Sequence, residues 1–524
     1  MSYQAAVTSP HHLASKAGEA ILNQGGNAIE ACIAIASTLT VVYPHMTSLG
    51  GDGFWLIHKP GVKPLALNAA GKSARDLRRM GFGEHLRGPN VALTTAGVVS
   101  GWEEALKKYP GKLSLADIFS PAIKHASEGF EVTETLHNAM VKLKEEYPNH
   151  DFSSVFLNGD EPYEVGATLR LNALADTYRK LAENGLNDWT TGDLAHENAT
   201  YLAKQGSPIL FEDLEDTVAK WCEPLSCNTQ WGKFYNFGAP TQGGASLNII
   251  ALLNKYILEA DKPNEYWKTE EGEEQVLHLL VEAVKVAFNW RNEFLCDSPE
   301  CSQEMQDRLT EESIATQFSS INEQATEWPN PGPIGDTVWM GVVDSDGLAV
   351  SYIQSIYWEF GSGVVNPDTG VVWNNRCLGF NTDPEHPNHL APMHQPMHTL
   401  NPPMALLSDG DRLLYGTMGG EGQPQTQAAI IWRYLVQKKE LSESIANPRW
   451  LLGKTWGKSS ENLKLEASLF DKHGKKMQTR GHDVVSAPEY AEFFGHAGGI
   501  HINNQCSTAA SDPRSDGEAI VLKS

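Results

Sequence analysis

The stretch Asp336-Thr337-Val338-Trp339-Met340-Gly341-Val342-Val343-Asp344 decides how the rest of the chain is interpreted. It follows a segment rich in proline and glycine, residues 328–336, and it reads as a strand that ends in a polar turn. A cut before Thr337 would give one residue both a hydroxyl nucleophile and a free α-amine. Such an amine titrates near about 7.7–8.0, so it can accept a proton close to neutral pH. A threonine after a loop is more often a simple strand start, so this interpretation needs support from elsewhere.

The composition describes a large globular protein with an acidic surface. The chain has 524 residues, of which 41% are hydrophobic and 20% charged, and this length exceeds one ordinary core. The formal net charge of −24 argues against a nucleic acid partner, which requires clustered lysine and arginine. Seven cysteines without a Cys-x-x-Cys pair argue against a disulfide framework and a structural zinc site.

The N-terminal residues show no basic segment followed by an apolar one, so they predict no secretory signal. The most apolar early stretch, residues 28–42, contains Glu30 and is shorter than the roughly 20 residues that span a membrane. We interpret this stretch as a buried helix. The expectation is a cytoplasmic protein with no membrane partner.

Helical periodicity dominates the first part of the chain, and strand patterns dominate after Thr337. Residues 10–24 are predicted as a first helix with Ser9 as its cap. The glycine-rich residues 44–53 precede a strand, the reverse of a phosphate-binding loop, so we expect a close approach between backbones there. Residues 298–336 are polar and contain several prolines, and we expect an irregular segment suited to cleavage.

Six ordered segments resemble the γ-glutamyltransferase-like N-terminal-nucleophile hydrolases, and together they span nearly the whole chain. They are residues 25–28 (GGNA), 47–54 (TSLGGDGF), 287–297 (AFNWRNEFLCD), the stretch that begins at Thr337, 419–420 (GG) and 510–517 (ASDPRSDG). The resemblance implies an α+β fold, a four-layer αββα sandwich formed by a precursor that cuts itself. The cut would fall between Asp336 and Thr337, giving a large subunit of residues 1–336 and a small subunit of residues 337–524. These would remain together as a heterodimer, and a dimer of heterodimers is left open.

The resemblance also implies catalytic roles. Thr337 Oγ would attack an amide carbonyl while its own amine takes the proton and returns it to the leaving nitrogen. Gly419 and Gly420 would offer backbone N–H groups to the oxyanion, although an ordinary turn is the simpler interpretation of two glycines. Ser355 occupies the position of the family's second hydroxyl near the nucleophile. This chemistry requires no metal or other cofactor.

The segments that hold a glutamyl group in this family differ here. The arginine of an F-R-E type segment is missing from residues 67–73, and His398-Thr399 replace a pair of serines. Arg376 replaces a glutamine, and Gly379 replaces the acid that binds the ammonium group of the substrate. A cation in this place would repel that ammonium, so γ-glutamyl substrates should bind poorly.

These replacements favour a small acid amide as the substrate. Arg376 can clamp a carboxylate through two hydrogen bonds, and His398 and Thr399 can add others. Trp339 and Tyr357 are bulky enough to narrow a pocket, although both could equally be core residues. A structural salt bridge remains the alternative role for Arg376.

Residues 419–425, of the form GGxxQPQ, resemble the oxamate amidohydrolase branch of the family, which hydrolyses oxamate to oxalate and ammonia in the salvage of purine nitrogen. Two alternatives stay open: a γ-glutamyl hydrolase, transferase or β-lactam acylase-like amidase on the same scaffold, and an uncleaved scaffold protein. Four histidines fall within residues 386–398, but their spacing fits no standard metal site.

Overall fold

The computed structural model describes residues 3–77, 86–328, 335–453, 461–503 and 506–523. In chain order its helices are α1 (His12–Asn23), α2 (Ala28–Val42), α3 (Val98–Lys108), α4 (Leu115–Glu128), α5 (Glu134–Glu146), α6 (His150–Phe156), α7 (Asn172–Asn184), α8 (Asp188–Thr191), α9 (Asp193–Gln205), α10 (Phe211–Glu215), α11 (Gly243–Ala260), α12 (Glu270–Phe294), α13 (Pro299–Asp307), α14 (Glu311–Phe318), α15 (Gly422–Ile431), α16 (Leu441–Ala446) and α17 (Ala467–Thr479). Short 3₁₀ helices lie at Asn264–Lys268, Arg376–Gly379 and Glu492–Phe494, and α15 continues as a π-helix, Trp432–Val436.

The strands, in the same order, are β1 (Ala6–Ser9), β2 (Asp52–His58), β3 (Leu65–Ala69), β4 (Phe130–Glu131), β5 (Leu157–Asn158), β6 (Glu161–Pro162), β7 (Thr168–Leu169), β8 (Lys220–Cys222), β9 (Leu225–Thr229), β10 (Gly232–Asn236), β11 (Asp336–Val343), β12 (Ala349–Tyr357), β13 (Val365–Asn366), β14 (Val371–Val372), β15 (Met404–Leu407), β16 (Arg412–Thr417), β17 (Trp450–Leu452), β18 (Leu463–Glu466), β19 (Val484–Ala487), β20 (Ala497–Ile502), β21 (Ser507–Ser511) and β22 (Glu518–Val521).

Two antiparallel sheets form the centre of the molecule. The first has the strand order β22-β1-β11-β12-β2-β3-β8, and the second has the order β21-β20-β16-β15-β10-β9. Both contain strands from before and after Thr337, so the two parts of the chain are built into the same sheets. The strand that begins at Asp336 lies inside the first sheet, between β1 and β12.

Side chains on β11 alternate between two cores, as the pleat of a strand requires. Val338 and Met340 pack against the helices that cover the first sheet. Trp339 and Val343 pack between the two sheets, against residues of the second sheet. A third core joins the second sheet to its own helices, which include α11, α12 and α15. The predicted four-layer αββα sandwich is confirmed, and by the same alternation Thr337 belongs to the face between the sheets.

The helix α2 joins two of the motifs seen in the sequence. It is buried along its whole length, which explains why it is apolar on every side. Asn27 and Glu30 form a capping box at its start, and the N–H of Ala28 donates to Asp344 Oδ2 at 2.9 Å. Asp344, the residue that follows β11, therefore supports the start of the helix that packs against this strand. No helix in the described ranges has the length and apolar character that crossing a membrane requires.

The predicted start of the first helix is wrong. Ser9 is the last residue of β1 and pairs with Glu518 in β22, so it cannot cap a helix. The helix α1 begins after His11, whose Nδ1 accepts the N–H of Leu13 at 3.2 Å. The short strand β1 escaped prediction because its four residues carry no alternating pattern.

The expected irregular segment at residues 298–336 is also partly wrong, because α13 and α14 lie within it. Ser298 and Thr310 cap these two helices through their hydroxyl oxygens. Residues 329–334, which precede the predicted cut between Asp336 and Thr337, lie outside the described residues.

Gly50 and Gly51 allow the close backbone approach that the sequence predicted. A Cβ atom on Gly51 would lie 2.2 Å from the carbonyl oxygen of Ser355, and one on Gly50 would lie 2.2 Å from that of Val372. Both distances are far below van der Waals contact, so no larger residue fits without moving backbone. Gly51 therefore sets the distance between the start of β2 and the end of β12, and Gly50 sets the distance to β14.

We expect Gly51→Ala to lower the free energy of unfolding by about 2 kcal/mol or more, because the clash is with backbone that cannot rotate away. Gly474→Ala is the matched control. The three atoms nearest to its added Cβ, at 2.8–3.1 Å, all belong to the half-buried ring of Phe470, a side chain that can rotate away. Alanine also favours a helix by roughly 1 kcal/mol over glycine. Urea unfolding of both variants checks this, and equal stabilities would contradict it.

Candidate active site

A β-bulge lies beside Thr337. Asp336 pairs with Tyr357, but Val338 pairs with Gln354, so β12 has one more residue than β11 between these two pairs. Bulges redirect side chains and are common next to active sites. Tyr357 has a φ of +83°, a strained value for a residue with a side chain. Thr337 is 1% exposed, so its side chain lies inside the molecule.

Ser355 lies in this bulge, where its hydroxyl oxygen accepts two hydrogen bonds. The donors are the backbone N–H of Tyr357, at 2.7 Å, and Nη2 of Arg376, at 3.1 Å. In the other direction Ser355 pairs across the sheet with Asp52, the first residue of β2. Ser355, the predicted second hydroxyl, is thus adjacent to the strand of Thr337 and hydrogen-bonded to Arg376, the predicted carboxylate clamp.

Arg376 and Asp52 form a buried pair at the centre of the site, and neither is exposed. Arg376 Nε lies 3.4 Å from Asp52 Oδ2, and the guanidinium lies 4.3 Å from the ring centroid of Tyr357. Burial lowers the pKa of Arg376, and it raises the pKa of Asp52 to about 6 although the guanidinium opposes the rise. Within the described residues Arg376 Nε and Nη1 donate no hydrogen bond.

His398 and Thr399 lie in the same buried region. Burial, and then the charge of Arg376, hold the pKa of His398 well below its usual range, so its ring is neutral. The ring packs edge-on against Phe54, with centroids 5.0 Å apart. Neither ring nitrogen of His398 nor the hydroxyl of Thr399 has a hydrogen-bond partner in the described part of the chain. Buried polar atoms of this kind are suited to a polar ligand.

Gly419 and Gly420 form a turn directly after β16. Their φ angles of +112° and +50° are typical of glycine. A Cβ on Gly420 would lie 2.7 Å from the carbonyl oxygen of Gly335, so this turn touches the residue just before the predicted cleavage site. A Cβ on Gly335 would in turn lie 3.2 Å from Thr399 Oγ1. The glycine turn, Thr399 and the residues just before the predicted cut therefore lie next to one another.

Gln242 joins the two sides of the site. Its Nε2 donates to the carbonyl oxygens of Thr399, at 2.7 Å, and Gly420, at 2.8 Å. Its Oε1 accepts from Arg291 Nη1 at 2.7 Å, and Arg291 also forms a fully buried ion pair with Glu421. One amide side chain thus fixes the spacing between the glycine turn and the His398-Thr399 segment.

The C-terminal motif supports the glycine turn from its other side. Asp512 accepts hydrogen bonds from Arg449 and Arg514, and Arg449 Nη1 donates to the carbonyl oxygen of Gly495 at 2.6 Å. The Cα of Gly495 would lie 3.4 Å from a Cβ on Gly419. These charged residues act through position, because they hold the segment against which the turn packs.

Trp339 makes the contacts of a core residue. Its indole N–H donates to Ser351 Oγ at 3.0 Å. A Cβ on Gly416 or Gly498 would lie within 3 Å of the indole, so two glycines of the second sheet make room for it. These contacts account for the bulk of Trp339 through packing between the sheets, and its predicted contact with substrate stays a prediction.

The four neighbouring histidines of the sequence do not share one site. His386 bonds the carbonyl oxygen of Asn292, while His389 and His394 are exposed and His398 is buried.

Ligand atoms of another trio, His278, Glu282 and His482, do lie within 4.8 Å of one another. The two histidines are hydrogen-bonded at 2.8 Å, and Glu282 accepts from Lys285 Nζ at 2.7 Å. With a lysine already paired to its carboxylate, this trio is explained as a hydrogen-bonded cluster.

Comparison with known proteins identifies the family. The family model described as Gamma-glutamyltranspeptidase matches residues 14–522. The chain belongs to the γ-glutamyltranspeptidase family. An oxamate amidohydrolase proenzyme of Klebsiella pneumoniae is 44% identical, covering 98% of this chain and 97% of its own length. A glutathione hydrolase-like proenzyme of Bacillus subtilis is 36% identical over 98% of each chain. The crystal structure of cephalosporin acylase from Bacillus halodurans matches with a TM-score of 0.88 and 28% identity, over 100% of this chain and 96% of that one.

Membership of the γ-glutamyltranspeptidase family confirms the resemblance drawn from the six segments. It places the chain among amide-hydrolysing enzymes of the N-terminal-nucleophile type. The structure gives these motifs physical roles. The glycines allow backbones to approach closely, and Arg291 and Arg514 form buried ion pairs that support the turn at Gly419 and Gly420.

Two residues of the site were missed from the sequence. Asp52 is the one charged residue among the glycine-rich residues 44–53, which is a sequence signal for a functional acid. Gln242 carried no such signal, because its three hydrogen bonds join segments that are distant in sequence.

We expect Arg291→Ala to destabilise the protein by roughly 3–5 kcal/mol, because it leaves Glu421 buried without its counter-charge. Arg179→Ala is the control. Arg179 pairs with Asp176 on the surface, and such pairs contribute only about 0–1 kcal/mol. Denaturant unfolding measures both, and a small loss for Arg291→Ala would show that Glu421 finds another partner.

Proposed function

We propose that this chain is the precursor of an amidohydrolase that cleaves small acid amides, with oxamate as substrate and oxalate and ammonia as products. The observation that carries the proposal is the buried guanidinium of Arg376, with two nitrogens that donate no hydrogen bond in the described chain. A buried guanidinium is suited to a carboxylate, which it can bind through two parallel hydrogen bonds. The similarity to the oxamate amidohydrolase proenzyme supports the same substrate.

The precursor would be cut between Asp336 and Thr337, into residues 1–336 and 337–524. Gly335 lies against the Gly420 turn, so the peptide to be cut is near the groups proposed to stabilise an oxyanion. Cleavage would free the end that carries Gly335 and give substrate access to the same turn. The two fragments would stay together as a heterodimer, because each sheet combines strands from both.

In the cut enzyme Thr337 Oγ would attack the amide carbon of oxamate, and the α-amine of Thr337 would accept the hydroxyl proton. The backbone N–H groups of Gly419 and Gly420 would stabilise the oxyanion. Collapse of the tetrahedral intermediate passes that proton to the leaving nitrogen, so ammonia departs and an oxalyl ester remains on Thr337. The same amine then activates a water molecule, which hydrolyses the ester and restores the threonine.

A glutathione hydrolase type of activity is the second candidate, because Asp52 offers a carboxylate that could bind an ammonium group. Arg376 lies 3.4 Å from that carboxylate and already neutralises it. The net charge of the pair therefore favours a substrate with a carboxylate and no ammonium near Arg376.

The purified wild type should give two fragments on a denaturing gel, and Thr337→Ala should give one, because alanine lacks the nucleophile for self-cleavage. Thr316→Ala is the control: Thr316 is on α14 and bonds only within its own helix, so this variant should still be cut. Sequencing of the small fragment should begin at Thr337. A wild type that stays in one piece would contradict the assignment.

Wild type should release ammonia from oxamate and act poorly on a γ-glutamyl anilide. Arg376→Gln should lower kcat/KM for oxamate by about tenfold or more, because a charged hydrogen bond contributes roughly 1.5–3 kcal/mol. Arg179→Gln, on the surface, should have wild-type activity. Preference for the anilide would overturn the substrate, and loss of self-cleavage in Arg376→Gln would make that arginine structural.

A further inference from the structure

Asp52 is a buried acid that the proposed mechanism does not use. Its Oδ1 accepts the backbone N–H of Gly71 at 2.7 Å. Its Oδ2 has no hydrogen bond within the described residues and faces Arg376 Nε, which is itself without one. One oxygen of the acid is therefore fixed by the fold, while the other is directed at the place where the guanidinium would receive a substrate carboxylate.

The charges at this place do not balance when an anionic substrate binds. Arg376 and Asp52 cancel each other, and both are fully buried. A substrate carboxylate would add a second negative charge to a region that holds a single guanidinium. When two carboxylates share a buried site, the pKa of one of them is strongly raised, which favours a proton on that group.

We propose that Asp52 binds the acid amide as a neutral acid, donating Oδ2–H to the substrate carboxylate while Arg376 donates from Nε and Nη1. Binding of each anion is then accompanied by uptake of one proton. The inference rests on the proposed function, because it assigns the carboxylate of the substrate to Arg376. It makes Asp52 a residue that determines specificity for acids.

The other ionisable side chains around Arg376 and Asp52 do not take up the proton that accompanies substrate binding. Burial raises the pKa of Tyr352 and of Tyr357, so both phenols stay neutral. Burial and the charge of Arg376 keep His398 neutral as well. Glu421 is paired with Arg291. Burial raises the pKa of Asp52 to about 6, so among the side chains around the pair it is the one that exchanges a proton near neutral pH. The α-amine that cleavage creates at Thr337 also titrates in this range, and the Asp52→Asn variant distinguishes the two.

The sign of the pH dependence follows from this pKa. Below about pH 6 Asp52 is already protonated in the free enzyme, so the affinity for the anion does not depend on pH. Above about pH 6 Asp52 is ionised in the free enzyme, so binding of the anion must take a proton from solution. Affinity should then fall by up to about tenfold per pH unit, until the pH reaches the higher pKa of Asp52 in the complex.

Calorimetry of oxalate binding to the self-cleaved enzyme tests this, because oxalate has no amide to hydrolyse. It carries a second carboxylate in place of the amide in wild type and in Asp52→Asn alike, so the difference in proton uptake between the two proteins reports on Asp52. Titrations at pH 7.5 in phosphate and in Tris, which differ in heat of ionisation, give the number of protons taken up. Wild type should take up close to one proton, and its affinity should fall at least tenfold from pH 6 to pH 8. Asp52→Asn keeps an acceptor for Gly71 and gains an N–H donor, so it should take up none and vary less than twofold.

Asp344→Asn is the matched control, since Asp344 is another buried acid whose pKa burial raises, but it caps α2 at the far end of β11. It should bind oxalate with the same proton uptake as wild type, although its amide leaves at least one backbone N–H of Ala28, Asp346 or Leu348 without an acceptor and so lowers stability. Uptake that persists in Asp52→Asn would assign the proton elsewhere, for example to the α-amine of Thr337, and would overturn the inference. Absence of uptake or of oxalate binding in wild type would do the same.

If Asp52→Asn does not fold, difference infrared spectra of the wild type decide the question, because oxalate should then produce the C=O stretch of a protonated carboxylic acid. Its absence would contradict the inference. Oxamate hydrolysis is measured on the same preparation. Turnover without proton uptake overturns the role of Asp52 alone, and proton-linked oxalate binding without turnover overturns the proposed function alone.

Discussion

The guanidinium of Arg376 has no exposure to solvent, and in the described chain only Nη2 donates a hydrogen bond, to Ser355. A buried charge is expensive unless it is paired and hydrogen-bonded. Asp52 supplies a counter-charge, and Tyr357 supplies the face of an aromatic ring. Two nitrogens of the guanidinium remain to donate hydrogen bonds to a ligand. The need to satisfy this buried charge therefore both organises the site and favours an anionic ligand.

The rest of the fold holds the guanidinium of Arg376 next to β11. Gly51 lets β2 approach Ser355, which places Asp52 opposite the bulge. Gln242 ties the His398-Thr399 segment to the glycine turn, and the turn touches Gly335, two residues before Thr337. Self-cleavage and amide hydrolysis would then use the same few groups, which explains why motifs far apart in the sequence meet around one strand.

The family and the four layers of the fold were predicted from six ordered segments that resemble those of one family, while α2 was predicted directly because it is apolar on nearly every side. The sequence did not predict the elements and residues whose structure depends on contacts between distant parts of the chain. The strand β1 is four residues long, and α13 and α14 are short helices in a polar, proline-containing region, so tertiary pairing and capping decide them. Arg376 was predicted from its departure from a motif, whereas Gln242 became visible only when distant segments met. Asp52 stood within a recognised motif, but its role depends on its distance to Arg376.

The most direct test of the central claim is rapid quenching of the self-cleaved enzyme with oxamate, followed by mass spectrometry of its two fragments. The account predicts an oxalyl group on the fragment that begins at Thr337, at that residue, with ammonia released at the same rate. An acyl group on another residue, or ammonia release without any acylated fragment at any quench time, would contradict it.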